Sequence, residues 1–272
     1  MISSAPAKSI NAMSNYIAKK PDAHGYIDYS ETENKTWEIL YHRQIKVVES
    51  RACEEYLQGL AELNLPQHKV PQCQEVSRIL QQKTGWSVVP VEAVISFNDF
   101  FTLLANKQFP AASFIRSMEE MDYLKEPDIF HEIFGHCPLL TNPVYADFMW
   151  EYGKIGLKAT SKERVLLARL FWFTVEFGLI QTSKGLRIYG AGILSSKQET
   201  IYALESPDPL RKPFLALDVL RTPYRYDEIQ KIYFVINQYQ DLFDLLKTDI
   251  IGLIHQAQAL GEHSEAHPAH GC

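Results

Sequence analysis

Residues 127–138 read Pro-Asp-Ile-Phe-His-Glu-Ile-Phe-Gly-His-Cys-Pro, and four of their side chains could do chemistry: Asp128, His131, Glu132 and His136. Polar groups set among apolar neighbours are expensive to bury unless something binds them, and a metal ion would offset that cost. The two histidines stand five residues apart, not the four of the zinc-hydrolase pattern H-E-x-x-H. At roughly 100° per residue, five steps along an unbroken α-helix leave two rings about 140° apart. They can then share one ion only if the helix stops between them. Gly135 and Pro138 supply a stop, because glycine accepts the left-handed conformation that closes a helix and proline forbids continuation. His131 is therefore expected on a helix and His136 on the turn that follows. On this segment alone the alternative stays open: two ordinary histidines, one of them capping the carbonyls at a helix end.

A third ligand would decide between these, and Glu176 is the candidate. It lies in Phe171-Trp172-Phe173-Thr174-Val175-Glu176-Phe177-Gly178-Leu179-Ile180, a helix-like run that is otherwise almost entirely apolar. Leaving a buried charge unpaired costs about 3–5 kcal/mol, so Glu176 needs a cation. Arg164 or Arg169 on the same helix could serve, and so could the metal. Two histidines and one carboxylate with the remaining positions open is the donor set of non-haem Fe(II) sites that activate oxygen.

The elements that must position these residues are mostly helical. Ser30 and Glu33 form a capping box, followed by apolar residues at steps of three and four from Trp37 through Leu40, Tyr41, Ile45, Val48, Ala52 and Tyr56 to Leu60, which predicts one long helix or two. Further helices are expected over 74–83, from a cap at Asn98 to about Lys107, from Asn142-Pro143 to about Lys158, over 162–180, after Ser196, and over 226–247 through Ile229, Ile232, Tyr233, Ile236 and Leu242. Short strands are expected at Trp86–Val91 and Leu186–Tyr189. The fold class is mainly α: a single helical catalytic domain over 26–260 with a few short strands, a partly disordered arm over 1–25, and a flexible tail over 261–272 that carries His263, His267 and His270. With 27 Lys plus Arg against 33 Asp plus Glu, a net charge of −6 and no basic block, nucleic acid is excluded as a partner. No run approaches a membrane span and no signal segment opens the chain. The four cysteines show neither C-x-x-C nor a disulfide framework, which points to the reducing cytoplasm. Apolar Ile250, Ile251, Leu253 and Ile254 could pack on the domain or on a second subunit, so a monomer or a homodimer is expected.

Three motifs in order, Glu126-Pro127-Asp128-Ile129-Phe130-His131-Glu132 through His136, Trp172-Phe173-Thr174-Val175-Glu176-Phe177-Gly178-Leu179, and Tyr189-Gly190-Ala191-Gly192 with Ser195-Ser196, resemble the catalytic domain of the pterin-dependent aromatic amino acid hydroxylases. The likeness runs from about Tyr26 to about Leu246 and is greatest to bacterial members that act on phenylalanine. It implies para-hydroxylation of L-phenylalanine to L-tyrosine with O2, a tetrahydropterin such as tetrahydrobiopterin, and Fe(II). His131, His136 and Glu176 match the iron ligands, in agreement with the reading from residue types. Arg116 matches the arginine that grips the substrate carboxylate, for which its planar five-donor fork is suited. Asp128 matches the acid that orients that arginine, although as a lone residue it could equally cap the histidine helix. Ser195 matches a substrate-contacting hydroxyl, and Trp172, Phe177 and Pro127 match the walls around the substrate ring. Phe100 matches the ring on which the pterin stacks, and Glu132 a carboxylate that reaches the pterin through water. Where animal members carry Thr-Pro before the Glu-Pro-Asp, this chain has Leu124-Lys125, one hydroxyl fewer near the amino acid.

The resemblance leaves other substrates in view, namely tryptophan or tyrosine at the same kind of site. Two further classes compete from the residues alone. A zinc hydrolase would use His131 and His136 as ligands and Glu132 as base. A helical binding module would use the polar cluster only for structure.

Overall fold

The computed structural model describes residues 16–91, 95–122 and 126–263. Leu124-Lys125, the first fifteen residues and the tail beyond His263, with its remaining histidines, lie outside the described residues. The chain opens as the capping box predicts: Ser30 and Glu33 exchange hydrogen bonds at the start of α1 (Glu31–Val48). The apolar periodicity that follows divides into α1 and α2 (Glu54–Leu63). After α3 (Cys73–Lys83) comes a βαβ unit, β1 (Ser87–Val91), α4 (Phe97–Ala105) and β2 (Gln108–Ala112). The two strands pair in parallel from Ser87↔Gln108 to Val91↔Ala112. Parallel neighbours need a crossover, and α4 provides it. Its cap is Ser96, two residues before the expected Asn98, with the Ser96 hydroxyl accepting from the Asp99 amide.

Asn142 caps α5 (Pro143–Lys158) with proline at its first position, as expected. The helix predicted over 162–180 is shorter. The α-helix α6 spans Ser161–Phe171, passes into a π turn at Trp172–Glu176, and gives way to strand β3 (Leu179–Thr182). Two local features account for the change of winding. The Thr174 hydroxyl donates back to the Leu170 carbonyl at 2.5 Å, a bond that bends helices, and the Phe177 amide donates five residues back to Trp172 at 2.9 Å. Beyond it β4 (Gly185–Ile188) returns antiparallel to β3, and α7 (Ala191–Leu194), α8 (Lys197–Glu205), β5 (Leu210–Pro213) and α9 (Ala216–Arg221) follow.

Residues 226–247, read as one helix, contain instead β6 (Ile232–Ile236) and α10 (Tyr239–Lys247). The sheet order is β4-β3-β6-β5, with β6 parallel to both neighbours. A strand between two parallel partners is covered on both faces and shows a continuous apolar run, Ile-Tyr-Phe-Val-Ile, with no alternation to separate it from a helix. Finally α11 (Ile250–Leu260) buries Ile250 and Ile254 in its own domain. The start of the expected tail is docked: Glu262 pairs with Arg169, and the His263 amide donates to the Arg221 carbonyl.

The core is built around the histidine segment. Phe130 packs edge-on to Trp37 at 5.3 Å and stacks on Phe134 at 4.8 Å, and the Tyr56 hydroxyl donates to the Phe134 carbonyl. Tyr16, in the expected arm, stacks on Phe114 at 4.5 Å, so this part of the arm lies against the domain.

Candidate functional site

His131 and His136 do not straddle a helix end. Both belong to one π turn, His131–His136, and Gly135 continues it rather than stopping it. In a π turn residue i bonds to i+5, so the wider winding brings the fifth residue back over the first, which the α-helix denies to this spacing. Gly135 matters for its size instead. A Cβ there would sit 2.9 Å from the Ala191 carbonyl oxygen, so its lack of a side chain lets α7 close on the turn.

The two Nε2 atoms are 3.0 Å apart. Glu176 closes the triangle, Oε2 lying 3.5 Å from His131 Nε2 and Oε1 3.5 Å from His136 Nε2. Two donors bound at about 2.1 Å to one ion and about 90–110° apart sit roughly 3.0–3.4 Å from each other, so the three atoms fit a single metal. All three side chains are buried. Arg164 and Arg169 are committed elsewhere, to the carbonyls of Gly156 and Leu220, which leaves the imidazoles as the neighbours of Glu176. Burial pushes the His131 imidazole down to about 3, so it is neutral near pH 7. Burial alone would raise Glu176, but the two imidazoles outweigh it and hold the carboxyl at about 2. A neutral His131 and an ionised Glu176 are the forms in which these two groups bind a metal.

Ser195 reaches the centre from the end of α7. Its hydroxyl donates to Ala191 O at 2.9 Å and so accepts from His131 Nδ1 at 2.8 Å. That bond fixes the proton on Nδ1 and turns the Nε2 lone pair inward. On the other side, Asp128 is fully buried and its carboxylate does two jobs. It accepts from Arg116 Nε at 2.8 Å, Nη2 at 2.9 Å and the Arg116 amide at 3.0 Å, and also from the His131 amide at 3.1 Å. It is thus both the partner of the arginine and the cap of the histidine segment, two roles the sequence treats as alternatives. Burial would raise its pKa, but Arg116 outweighs it and holds the carboxyl below the usual range. Nη1 of Arg116 has no hydrogen bond among the described residues.

Pro127 is buried beside Asp128. Trp172 and Phe177 face each other across the second π turn with centroids 4.5 Å apart. Phe100 and Glu132 share one cleft with His136 and Glu176. Glu132 is raised by burial to about 7. Sequence reading missed Gln230, whose side-chain oxygen accepts from the Trp172 indole at 2.9 Å, and Tyr224, which stacks on that indole at 4.3 Å. Neither residue type nor spacing could have shown these contacts, since they join segments some fifty residues apart.

A second group with the same donor set, Glu38, His42 and His68, lies near the surface of α1. Its Glu38 is already paired with Lys35 at 2.6 Å, its His68 side chain is 73% exposed, and Lys46 and Lys197 line the groove beside it. A cation there would meet other cations, whereas the buried triad's carboxylate has no Lys or Arg partner among the described residues. Of the two groups, the buried triad is the one whose donors fit a metal ion.

Residues 7–255 match the sequence model of the biopterin-dependent aromatic amino acid hydroxylases. The chain belongs to that family. It is 55% identical over 253 residues to the phenylalanine-4-hydroxylase of Pseudomonas aeruginosa, covering 93% of this chain and 96% of that one. Identity to the Vibrio cholerae phenylalanine-4-hydroxylase is 52%, over 92% of this chain and 86% of that one. Among solved structures it is similar to the apo cold-active phenylalanine hydroxylase of Colwellia psychrerythraea 34H, with a TM-score of 0.89, 56% identity, and coverage of 91% of this chain and 96% of that one. The Chromobacterium violaceum phenylalanine hydroxylase with bound iron(III) and oxidised 7,8-dihydrobiopterin superposes with a TM-score of 0.84 at 43% identity, over 92% and 93% of the two chains.

Proposed function

We propose that this chain is a phenylalanine 4-monooxygenase that converts L-phenylalanine to L-tyrosine with O2 and a tetrahydropterin at a non-haem Fe(II) centre. The observation that carries the reading is the buried triangle of His131, His136 and Glu176, with donors 3.0–3.5 Å apart. Iron and the reduced pterin, when bound, would supply oxygen activation and two electrons, one oxygen atom of O2 going to the ring and the other to water. The protein binds, orients and excludes water. His131, His136 and Glu176 would hold the metal, and Ser195 keeps the His131 proton on Nδ1. Arg116, braced by Asp128, turns Nη1 to the substrate carboxylate. Pro127, Trp172, Phe177 and the Ser195 side chain border the amino acid, and the apolar walls seat a phenyl ring. Phe100 offers its ring to the pterin, and Glu132, in the same cleft, reaches it through water.

This catalytic unit is a single domain over 26–260, with residues 1–25 as an arm and 261–272 as a tail. It works in the cytoplasm, a reading supported by the buried, unpaired thiols of Cys53, Cys73 and Cys137. It is a monomer or a homodimer: Ile250 and Ile254 pack within the domain, while Ile251 and Leu253 beside them stay partly exposed. The test is tyrosine formation, followed by mass, with Fe(II), reduced pterin and each aromatic amino acid in turn, on wild type and Glu176→Ala. Wild type is expected to yield tyrosine from phenylalanine only when pterin is present, and the variant is expected to lose both iron and turnover while keeping its fold. A variant that keeps full iron and activity would remove the triad from the reaction.

A further inference from the structure

Trp172 opens the π turn that ends at Glu176 and is 5% exposed. Two rings pack on its indole, Tyr224 stacked at 4.3 Å and 14° and Phe177 tilted at 4.5 Å and 34°. Stacking sets the plane of an aromatic ring but leaves it able to slide and turn within that plane. A directional bond at the rim removes that freedom. The indole N–H is a donor only, and it donates to Gln230 Oε1 at 2.9 Å in a buried setting.

Gln230 is itself held in one orientation. Its Nε2 donates to the carbonyls of Arg225 at 2.7 Å and Glu228 at 3.1 Å, so the amide oxygen must face the indole; a flipped amide would oppose two donors to each other. Its backbone amide donates to Glu199 Oε1 at 3.2 Å, and the Tyr233 hydroxyl donates to the same oxygen. The segment before β6 is thereby tied to α8, and through one carboxamide to the first residue of the turn that carries a metal ligand.

We infer that Gln230 is a positioning residue for the aromatic substrate, acting through the indole of Trp172; the inference rests on the reading of Trp172 as a wall of the phenylalanine site. With its N–H consumed by Gln230, the indole presents only carbon to its other neighbours, and its pitch in the stack is fixed. Removing the acceptor leaves a buried N–H without a partner, and the ring turns or admits water to satisfy it. The amino acid is then seated less tightly, and more reduced pterin is oxidised without hydroxylation. Metal ligation is unaffected, since Gln230 touches none of the three ligands.

The test is a double-mutant cycle on the iron-loaded enzyme with Gln230→Met, Trp172→Phe and the pair. Methionine keeps the unbranched length of glutamine without the acceptor, and phenylalanine at 172 has no N–H to satisfy. Each protein is measured for iron content, thermal unfolding, KM for phenylalanine, kcat, and tyrosine formed per pterin oxidised. Gln230→Met is expected to raise KM for phenylalanine about tenfold and to lower the tyrosine-to-pterin ratio, with wild-type iron content. In the Trp172→Phe background the same change should move KM by less than about twofold. An unchanged KM in Gln230→Met, an equal rise in both backgrounds, or loss of iron or fold in both backgrounds would overturn the proposal. Wild-type enzyme that makes tyrosine while Gln230→Met behaves identically fails this inference alone; wild-type enzyme that makes none fails the underlying reading.

Discussion

At the scale of the residue, this site depends on side chains that are each held to one role by a neighbour. His131 is neutral because it is buried, and its Nε2 is turned toward His136 and Glu176 because Ser195 takes Nδ1. Arg116 is aimed because Asp128 occupies Nε and Nη2 and leaves Nη1. That arrangement makes a sharp expectation for Arg116→Lys. An ammonium has no fork with which to grip Asp128 and a substrate carboxylate at once. KM for phenylalanine should rise at least about tenfold, roughly 1.4 kcal/mol, with iron content and KM for the pterin unchanged in steady-state assays. Kinetics equal to wild type would take Arg116 out of substrate binding.

At the scale of the element, two π turns decide the geometry, and both sit where regular α winding would misdirect a ligand. The turn bearing Glu176 is clamped from outside by the glycine loop that enters α7. A Cβ on Gly190 would lie 2.4 Å from the Glu176 carbonyl oxygen and 2.5 Å from the Gly178 nitrogen, both of them backbone atoms that cannot swing aside. Gly190→Ala should therefore cost roughly 1–3 kcal/mol of stability and weaken iron binding by displacing Glu176. Thermal unfolding of the iron-free protein together with iron titration separates the two effects. A variant with wild-type values of both would show that the loop is not a clamp.

At the scale of the whole molecule, one buried acid sets a pH dependence unrelated to the metal. Glu199 caps nothing charged: its partners are the Tyr233 hydroxyl and the Gln230 amide, and burial lifts its pKa from 4.5 to about 7. Between those two values the folded chain holds a proton that the unfolded chain has released, so this group's contribution to stability falls as pH rises through that window, and the full penalty is present above about 7. Glu199→Gln keeps an acceptor oxygen and removes the charge. It should be more stable than wild type above pH 7, by on the order of 3 kcal/mol at most, with the gap closing as pH is lowered toward that of an ordinary carboxylate. Urea unfolding at several pH values checks this, and parallel stability curves for the two proteins would exclude the buried charge.

The three donors that the structure brings together, His131, His136 and Glu176, were legible in the sequence because their types are costly in apolar surroundings, a cost that is visible wherever the neighbours are. Capping boxes and prolines likewise declared the starts of α1 and α5, since a cap is a contact between residues three apart. The winding of the two π turns was not legible. How far past a full turn five residues carry the chain depends on what packs against them, here α7 on Gly135 and the glycine loop on Glu176. The same holds for β6, whose apolar run becomes a strand only because β3 and β5 flank it. The hold of Gln230 on Trp172 was also beyond the sequence, because a hydrogen bond between distant segments leaves no local period. Sequence chose the donors, and tertiary packing set the angles at which they meet.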